Sequence, residues 1–375
     1  MTAQRAAMTA AFLGNGTILG VWTGALPRLR DSASLTDSQV GLVLLVFGIG
    51  AVGFSPVTAW LARRCDTALL CAFSAVAAGL SLPPAALVPG WIPLAGTALL
   101  GGMAAGAMDV SMNAQAAAVE RHLGRPVLSS FHAAWSLGVL SGSVMAGLFA
   151  AAGASLLATY VAGGGAVVAL GLPALGLRGL SASPPARGVS WRNRRLLGLG
   201  ALAFLGFVTE GVIIDWSGLY LRSDLGCSPA ASTTAFTGFS AAMLLGRLGG
   251  DWATYRLGPV LLVGGGAMLA ALGIGLALAW PSLPLAIAGF TLAGLGLANV
   301  VPLMFSAAGR HGPSGVATAA AIAYAGLLLG PPGLGFLAQE AGLRVVMALA
   351  IPGALAIAAM SGLLAERQAV PAGSP

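Results

Sequence analysis

Three carboxylates interrupt apolar segments of this chain at positions where a charge is costly. Asp109 lies within LLGGMAAGAMDVSMNAQAA, and Glu210 and Asp215 lie within FLGFVTEGVIIDWSGLYL. Hydrophobic residues make up 57% of the chain and charged residues 8%, so most other ionisable groups fall between apolar runs. A charge at bilayer depth costs about 2.5–3.5 kcal/mol on insertion scales. These carboxylates therefore predict a polar cavity that carries protons or a solute.

Asp109 and Asn113 are four residues apart, which places both side chains on one face of a helix. Asp109 offers an acceptor that can bind a proton, and Asn113 offers an amide that both donates and accepts. Because desolvation favours the neutral acid, proton binding and solute binding can be coupled at this pair. The alternative is a structural Asp that is hydrogen-bonded to a neighbouring helix.

Glu210 and Asp215 are five residues apart, so their side chains diverge by about 140° around a helix. The two carboxylates cannot both point into one pocket. We predict that Glu210 faces the cavity and takes part in proton coupling, and that Asp215 belongs to an outer gate.

Other polar and aromatic side chains fall within apolar segments and complete the predicted solute cavity. Ser136 shares a helical face with His132, and Trp135 lies beside it. Tryptophan is suited to stacking on a planar ligand, and a buried histidine can relay protons. The alternatives are contacts between helices for the polar groups and core packing for the indoles. The predicted cavity residues are Asn15, Trp22, Asn113, His132, Trp135, Ser136 and Asn299.

Twelve apolar segments of about 20 residues have the length of membrane spans. In the first half they are Ala6–Leu26, Val40–Ala62, Ala68–Val88, Pro93–Val119, Val127–Ala152 and Ser155–Leu177. In the second half they are Leu196–Leu221, Thr233–Gly250, Pro259–Trp280, Pro284–Ala307, Gly315–Ala338 and Val345–Leu364. The polar stretch RGLSASPPARGVSWRNRR at 178–195 is typical of a linker. It divides the chain into a six-helix bundle at 1–177 and a second bundle, with a short cytoplasmic tail, at 196–375.

All 18 basic residues are arginines, and their distribution predicts the orientation of the chain. With the N-terminus inside, 14 of them face the cytoplasm, and the four that face out are Arg28, Arg30, Arg222 and Arg344. This asymmetry fixes both termini inside by the positive-inside rule. We expect a multi-pass protein of the bacterial inner membrane. Arginines scattered between apolar runs argue against nucleic-acid binding.

Patterns that would indicate enzymatic chemistry are missing from the sequence. The chain has three cysteines without close ligand pairing, and it contains no phosphate loop, nucleophile elbow or zinc motif. We therefore expect no catalytic residues, no cofactor and no metal. The partners that we expect are the lipid bilayer, a small-molecule solute and protons.

The segment GRLGGDWATYRLG carries three charged residues at the end of a helix, Arg247, Asp251 and Arg256. Asp–Arg pairs at such a position can hold neighbouring helices in one conformation. We predict that these three residues form a conformational gate.

Twelve spans, a central linker and GRLGGDWATYRLG resemble the major facilitator superfamily over nearly the whole chain. The resemblance implies an all-α integral membrane fold of twelve transmembrane helices in two pseudo-symmetric six-helix bundles. It implies that Asp251, with Arg247 and Arg256, stabilises the outward-facing state. The copy of this motif in the first half, TAWLARRCDTALL, departs from the family pattern because Arg63 stands where the family has Asp.

Within the superfamily, DVSMNAQAAAVE, SSFHAAWSLG and EGVIIDWSGLYL resemble the fucose-permease-like branch. This resemblance implies a monomeric secondary active transporter that takes up a sugar-like polar solute by proton symport, with Asp109 as the proton or substrate carboxylate. One alternative is a drug/proton antiporter, although Ser143 replaces the proline of the antiporter motif in GVLSGSVMAG. The other alternative is a membrane receptor that keeps the fold without transport.

Overall fold

The computed structural model describes residues 3–124, 127–179 and 192–365, and every regular element in these ranges is helical. Ten helices within them are long and apolar enough to cross a membrane. Two further helices, Ala3–Ser32 and Thr234–Leu248, complete a set of twelve. Because helices satisfy their backbone hydrogen bonds internally, they suit a hydrocarbon environment. The chain is an all-α integral membrane protein, as the sequence predicts.

The twelve spans occur in the predicted order, with ends that differ by several residues from the predicted ones. The first to sixth spans are Ala3–Ser32, Asp37–Leu61, Thr67–Ala85, Trp91–Leu123, Leu128–Ala151 and Leu156–Leu177. The seventh to twelfth spans are Arg194–Ser223, Thr234–Leu248, Gly250–Ala279, Leu283–Gly309, Pro313–Ala341 and Leu343–Leu364. Most of the predicted linker at 178–195 lies outside the described residues, which omit 180–191.

Local sequence explains several helix ends. The Thr36 hydroxyl accepts a hydrogen bond from the Gln39 amide, and the Gln39 side chain accepts one from the Thr36 amide, which forms a capping box before the second span. Asp66 caps the third span and also accepts a hydrogen bond at 2.9 Å from the Gly179 amide after the sixth span. The ninth span breaks at Gly258, whose φ of 75° favours glycine.

The two bundles repeat the same helix pairings. In the first bundle, the first span packs against the fifth and sixth, the second against the fourth, and the third against the fourth and sixth. In the second bundle, the seventh span packs against the eleventh and twelfth, the eighth against the tenth, and the ninth against the tenth and twelfth. Each pair in the second bundle is the corresponding pair of the first shifted by six spans. The bundles are therefore pseudo-symmetric.

A short sequence repeat supports this relation. The first span carries Trp-Thr-Gly at 22–24 with Arg28 four residues after the glycine, and the seventh span carries Trp-Ser-Gly at 216–218 with Arg222 at the same spacing. Both tryptophans are buried. Both arginines lie at the end of the bundle that is opposite to the described chain termini. We call that end the distal end, and the end that holds Ala3 and Ala365 the terminal end.

Contacts between the bundles join the second span to the eleventh and the fifth span to the eighth. A Cβ atom added at Gly41 would lie 2.6 Å from the Pro331 carbonyl oxygen. On the other side of the interface, the Ser143 and Thr237 hydroxyl oxygens are 3.1 Å apart. All four residues lie in the distal halves of their spans. The close approaches at Gly41 and Ser143 therefore lie toward the distal end, while the Arg247–Ser136 hydrogen bond joins the fifth and eighth spans nearer the terminal end.

Glycines let the first and fifth spans approach closely. A Cβ atom at Gly16 would overlap the Trp135 carbonyl oxygen, one at Gly20 would overlap the Val139 carbonyl oxygen, and one at Gly138 would overlap the Leu13 carbonyl oxygen. Gly16 and Gly20 are one turn apart. Small residues at this spacing allow backbone contact between membrane helices, where dispersion and hydrogen bonding replace the hydrophobic effect.

We predict that Gly20→Ala lowers the melting temperature of the purified protein. The overpacking cost of about 1–3 kcal/mol exceeds the helix-propensity gain of about 1 kcal/mol. Gly165→Ala in the sixth span is the matched control, because a Cβ atom there meets no atom within 4 Å. An equal or higher melting temperature for Gly20→Ala than for the control would contradict the proposed close approach.

Candidate functional site

The predicted pair on the fourth span is formed as its spacing indicates. The Asn113 amide donates to Asp109 Oδ1 at 3.1 Å and to the Asp109 carbonyl oxygen at 2.9 Å. The Asp109 side chain is exposed and Asn113 is half-buried, although both lie in the interior of a 33-residue helix. An exposed carboxylate at this depth lies outside the packed interior of the first bundle.

Two aromatic side chains meet where the seventh and eleventh spans of the second bundle pack together. The Phe207 and Tyr324 rings stack with centroids 6.4 Å apart and an interplanar angle of 27°. The Tyr324 phenol, which is 41% exposed, lies within electrostatic range of Asp109. The sequence analysis missed both residues. The available signal was the tyrosine in the apolar segment AAAIAYAGLLLG.

Arg247 lies at a polar junction between the bundles. Its Nη1 donates to the Ser136 hydroxyl of the fifth span at 3.0 Å, and its guanidinium carbon lies 5.9 Å from the centroid of the Trp135 ring. Its Nε also donates to the Ala298 carbonyl oxygen at 3.4 Å, where the tenth span is interrupted. The Glu210 carboxylate lies within electrostatic range of this guanidinium.

The two carboxylates of the seventh span are placed differently from the prediction. Glu210, predicted to face the cavity, is 5% exposed, and its Oε1 has no hydrogen-bond partner among the described residues. Asp215, predicted to be a gate residue, is half-buried and makes no hydrogen bond or ion pair in the described part of the chain. A Cβ atom at Gly211, one turn before Asp215, would meet open space. Asp215 therefore lies on the open face of this helix.

The remaining predicted cavity residues divide between the opening and the packed interior. His132 is exposed, and its ring lies edge-on to Phe12 with centroids 5.2 Å apart. Trp22 is 5% exposed and stacks between the rings of Phe47 and Tyr160. Little of the Trp22 surface is left to contact a solute.

Both asparagines of the predicted cavity link helices. Asn15 accepts a hydrogen bond from the Trp135 indole at 2.9 Å and donates to the Ala105 carbonyl oxygen at 3.4 Å. Asn299 donates to the Gly246 carbonyl oxygen at 3.0 Å. This amide thus ties the interruption of the tenth span to the end of the eighth.

The predicted gate at the end of the eighth span is not assembled in this conformation. Asp251 and Arg256 are exposed, and Asp251 forms no ion pair with Arg247 or Arg256 among the described residues. Arg247 is instead directed toward Ser136. The physical reason is that the Arg247 guanidinium is taken up by the Ser136 hydroxyl and the Ala298 carbonyl oxygen, while Asp251 and Arg256 are exposed on the following helix.

One ion pair and one hydrogen bond at the distal end join the bundles instead. Arg222 donates to Asp31 at 2.8 Å, and Arg30 donates to the Ser223 hydroxyl at 2.6 Å. Arg30 also pairs with Asp37 at 2.8 Å within the first bundle. We call the crossing contacts Asp31–Arg222 and Arg30–Ser223 the distal lock. The sequence analysis placed these arginines outside the membrane but assigned them no role.

One further carboxylate borders the distal lock. Burial raises the pKa of Asp224, and the neighbouring Asp37 carboxylate raises it further, while hydrogen bonding and charge from Arg344 and the charge of Arg30 oppose the shift. Protonation of Asp224 therefore relieves repulsion from Asp37 in the closed distal end.

Comparison with known proteins identifies the family. The model of the Major Facilitator Superfamily matches residues 8–323. The chain belongs to this superfamily. It is 35% identical over 347 residues to the uncharacterized transporter y4wD of Sinorhizobium fredii, covering 90% of this chain and 92% of that protein. It is 31% identical over 342 residues to the membrane protein MosC of Rhizobium meliloti. That alignment covers 88% of this chain and 83% of MosC.

Solved structures show the same fold at low sequence identity. The nucleoside transporter NupG, as its D323A mutant, superposes with a TM-score of 0.78 at 15% identity, covering 97% of this chain and all of that one. A bacterial homologue of the human lysosomal transporter Spinster, inward-facing and occupied, gives a TM-score of 0.74 at 16% identity, with 96% and 95% coverage. The expected major facilitator fold is confirmed, and the protein is a multi-pass membrane transporter of this type.

We predict that Asp31→Asn weakens the distal lock. Since the side chains of Arg222 and Asp31 are 34% and 41% exposed, the pair contributes about 0.2–1 kcal/mol, which shifts the closed-to-open ratio by up to about fivefold. Spin labels at Leu87→Cys and Trp280→Cys, at the distal ends of the two bundles, would report a larger population of long distances.

The double variant Asp31→Arg/Arg222→Asp restores the pair with reversed charges and should recover the original distance distribution. Glu340→Gln is the control, because Glu340 is an exposed carboxylate at the distal end that forms no ion pair in the described part of the chain. An unchanged distribution in Asp31→Asn would show that the pair does not hold the distal end closed.

Proposed function

We propose that this protein is a secondary active transporter that carries a small, sugar-like polar solute across the bacterial inner membrane by proton-coupled symport. The observation that supports this most directly is the exposed Asp109 carboxylate between two pseudo-symmetric bundles. Ionisable groups at this depth in transporters mark solute and ion pathways, and alternating access moves one bundle against the other around a fixed midplane site.

The orientation follows from the arginines. We propose that the terminal end is cytoplasmic, because 14 of the 18 arginines would then lie inside. The conformation described above is then inward-open, with its distal lock on the periplasmic side. We also propose that the halves divide at 178–195 and that the transporter works as a monomer.

Asp109 is the proposed site of proton coupling, and Glu210 is its proposed helper. Resemblance to the fucose-permease-like branch supports Asp109 with Asn113 as the solute-binding pair. Glu210 lies close to Arg247, so its protonation would weaken the hold of the second bundle on that guanidinium. Protonation of Glu210 would thereby change the hydrogen bond between Arg247 and Ser136.

Arg247 is proposed to exchange partners during the cycle. In the inward-open conformation it bonds Ser136. By resemblance to the superfamily, it joins Asp251 and Arg256 in the outward-facing conformation. Closing the terminal end would replace the contact with Ser136 by the contact with Asp251.

We predict that Asp109→Asn abolishes solute accumulation driven by a proton gradient in proteoliposomes. Without a carboxyl group the coupling proton has no site, so accumulation should fall on the order of tenfold or more, while downhill exchange at fixed pH continues. The measurement is uptake from a panel of sugars, polyols, organic acids and cationic drugs. Glu340→Gln is the control, since Glu340 is an exposed carboxylate at the distal end of the eleventh span.

Three other outcomes would identify other functions. Unchanged accumulation and pH dependence in Asp109→Asn would contradict the assignment of the proton site. Proton-driven export of a cationic drug would identify an antiporter. Solute binding without concentrative flux in the wild-type protein would identify a receptor with the transporter fold.

A further inference from the structure

The turn between the second and third spans gathers positive charge at the terminal end. Arg63 and Arg64 are exposed in this turn. The Gly179 amide donates to Asp66 Oδ2 at 2.9 Å, which brings the exposed Arg178 beside the same turn. Asp66 forms no ion pair with an arginine in the described part of the chain, because its two oxygens accept from backbone amides. Three arginines therefore surround one carboxylate that is already hydrogen-bonded.

Trp60 holds one of these arginines at the membrane surface. The Arg64 guanidinium carbon lies 4.1 Å from the centroid of the Trp60 ring, which is within the range of a cation–π contact. Trp60 is 42% exposed and lies one residue before the end of the second span. Tryptophans at the end of a span lie at the depth of the lipid headgroups. Arg64 is thus held where lipid phosphate groups lie.

The corresponding turn of the second bundle carries a different charge. When TAWLARRCDTALL is aligned with GRLGGDWATYRLG, Arg63 occupies the position of Asp251, and Arg64 occupies the position of Trp252. The exposed Asp251 carboxylate repels an anion, whereas Arg63 attracts one. The proposed transport cycle gives Arg63 no role, so the reversed charge at this position needs its own explanation.

An apolar groove runs along the outside of the first bundle next to this turn. The second and third spans both pack against the fourth span, and a groove of about 510 Å³ lies among these three spans. Its lining includes Phe54, Phe73, Leu80, Leu100 and Met103. Phe73 and Leu100 are 68% and 62% exposed. Because they lie within membrane spans, their exposed surface contacts lipid chains.

The groove has the length and depth of an acyl chain in one leaflet. Leu70 lines it three residues after the third span begins at Thr67, and Pro84 lines it 14 residues further along. At a rise of about 1.5 Å per residue, the groove begins about 5 Å from the start of the span and extends for about 21 Å. Half of the hydrocarbon core is about 15 Å thick. A chain that starts at the turn can therefore follow the groove through its whole leaflet.

We propose that this surface is a binding site for an anionic phospholipid, with the phosphate group at Arg63 and Arg64 and one acyl chain in the groove. Guanidinium groups bind phosphate oxygens through paired hydrogen bonds. A zwitterionic lipid adds an ammonium group that the arginines repel, whereas an anionic lipid does not. The groove favours a lipid over a free phosphate, because burial of a chain adds apolar contact. The inference depends on the membrane fold and is independent of the transported solute.

The test uses the full-length protein in neutral maltoside micelles and two lipids with the same acyl chains, palmitoyl-oleoyl-phosphatidylglycerol and palmitoyl-oleoyl-phosphatidylcholine. Native mass spectrometry of a titration gives the apparent affinity for each lipid. Because one basic residue near the headgroups strengthens anionic-lipid binding about fivefold, we expect phosphatidylglycerol to bind about tenfold more tightly or better. Glycerophosphoglycerol, which is the same headgroup without chains, should bind about tenfold more weakly than the intact lipid or worse.

Variants test the two halves of the site separately. Arg63→Gln and Arg64→Gln should each weaken phosphatidylglycerol binding about fivefold. Ala77→Trp fills the groove from an exposed position in its wall and should weaken binding of both lipids severalfold. The matched controls are Arg310→Gln, which removes an exposed arginine at the terminal end of the second bundle, and Ala169→Trp, which adds the same bulk at an exposed position of the sixth span. Both should bind lipid as the wild-type protein does.

The melting temperature of each variant shows whether it is folded, and Arg63→Lys, which keeps the charge, should retain most of the binding. Equal wild-type affinity for the two lipids, or headgroup binding as tight as lipid binding, would overturn the inference without any variant. Unchanged lipid affinity in folded Arg63→Gln and Arg64→Gln, or in folded Ala77→Trp, would also overturn it. The proposed transport function fails separately, by absence of gradient-driven flux in proteoliposomes.

Discussion

The cost of a charge in hydrocarbon governs the arrangement of polar groups in this transporter. Glu210 and Arg247 meet that cost in the interior by lying within electrostatic range of each other. Asp109 meets it by facing the opening between the bundles. The two ion pairs in the described residues, Arg30–Asp37 and Asp31–Arg222, lie at the distal end, where water is close. Asp109, on the proposed solute path, is left without an ion pair in the described part of the chain.

Packing determines which parts of the molecule move together. Gly20 and Gly138 bring the first and fifth spans into backbone contact, and Gly273 and Gly289 do the same for the ninth and tenth spans, so each bundle is closely packed. Contacts between the bundles are fewer than contacts within each bundle, and most of those described lie toward the distal end. A rigid-body motion that opens those contacts and closes the terminal end needs no repacking within either bundle. Two repeated bundles can therefore alternate between conformations while each keeps its own packing.

Helical periodicity explains what the sequence could predict. The four-residue spacing of Asp109 and Asn113 fixed their shared face, and the pair forms as expected. The twelve spans were predicted from hydropathy, which measures how strongly a segment prefers an apolar environment to water. The same signal gives no information on which neighbour a helix meets, so Trp22 was assigned to the cavity although it stacks between Phe47 and Tyr160.

The missed features depend on distant residues or on conformation. Phe207 and Tyr324 are 117 residues apart in sequence and come together only when the seventh and eleventh spans pack together. Arg247 was assigned to a gate with Asp251, whereas its partner here is Ser136 of the other bundle. Local spacing along a helix gives no information on such a partner, which is 111 residues away in sequence.

Alternating access is tested most directly by locking the distal contact. In a protein without its three native cysteines, Ser143→Cys and Thr237→Cys should form a disulfide, because the native hydroxyl oxygens are 3.1 Å apart. A third cysteine at Asn113 then reports access of an impermeant thiol reagent from each side of the membrane. The account predicts labelling from both sides before oxidation and only from the terminal side after it. Labelling from the distal side in the cross-linked protein, or from one side alone in the reduced protein, would contradict it.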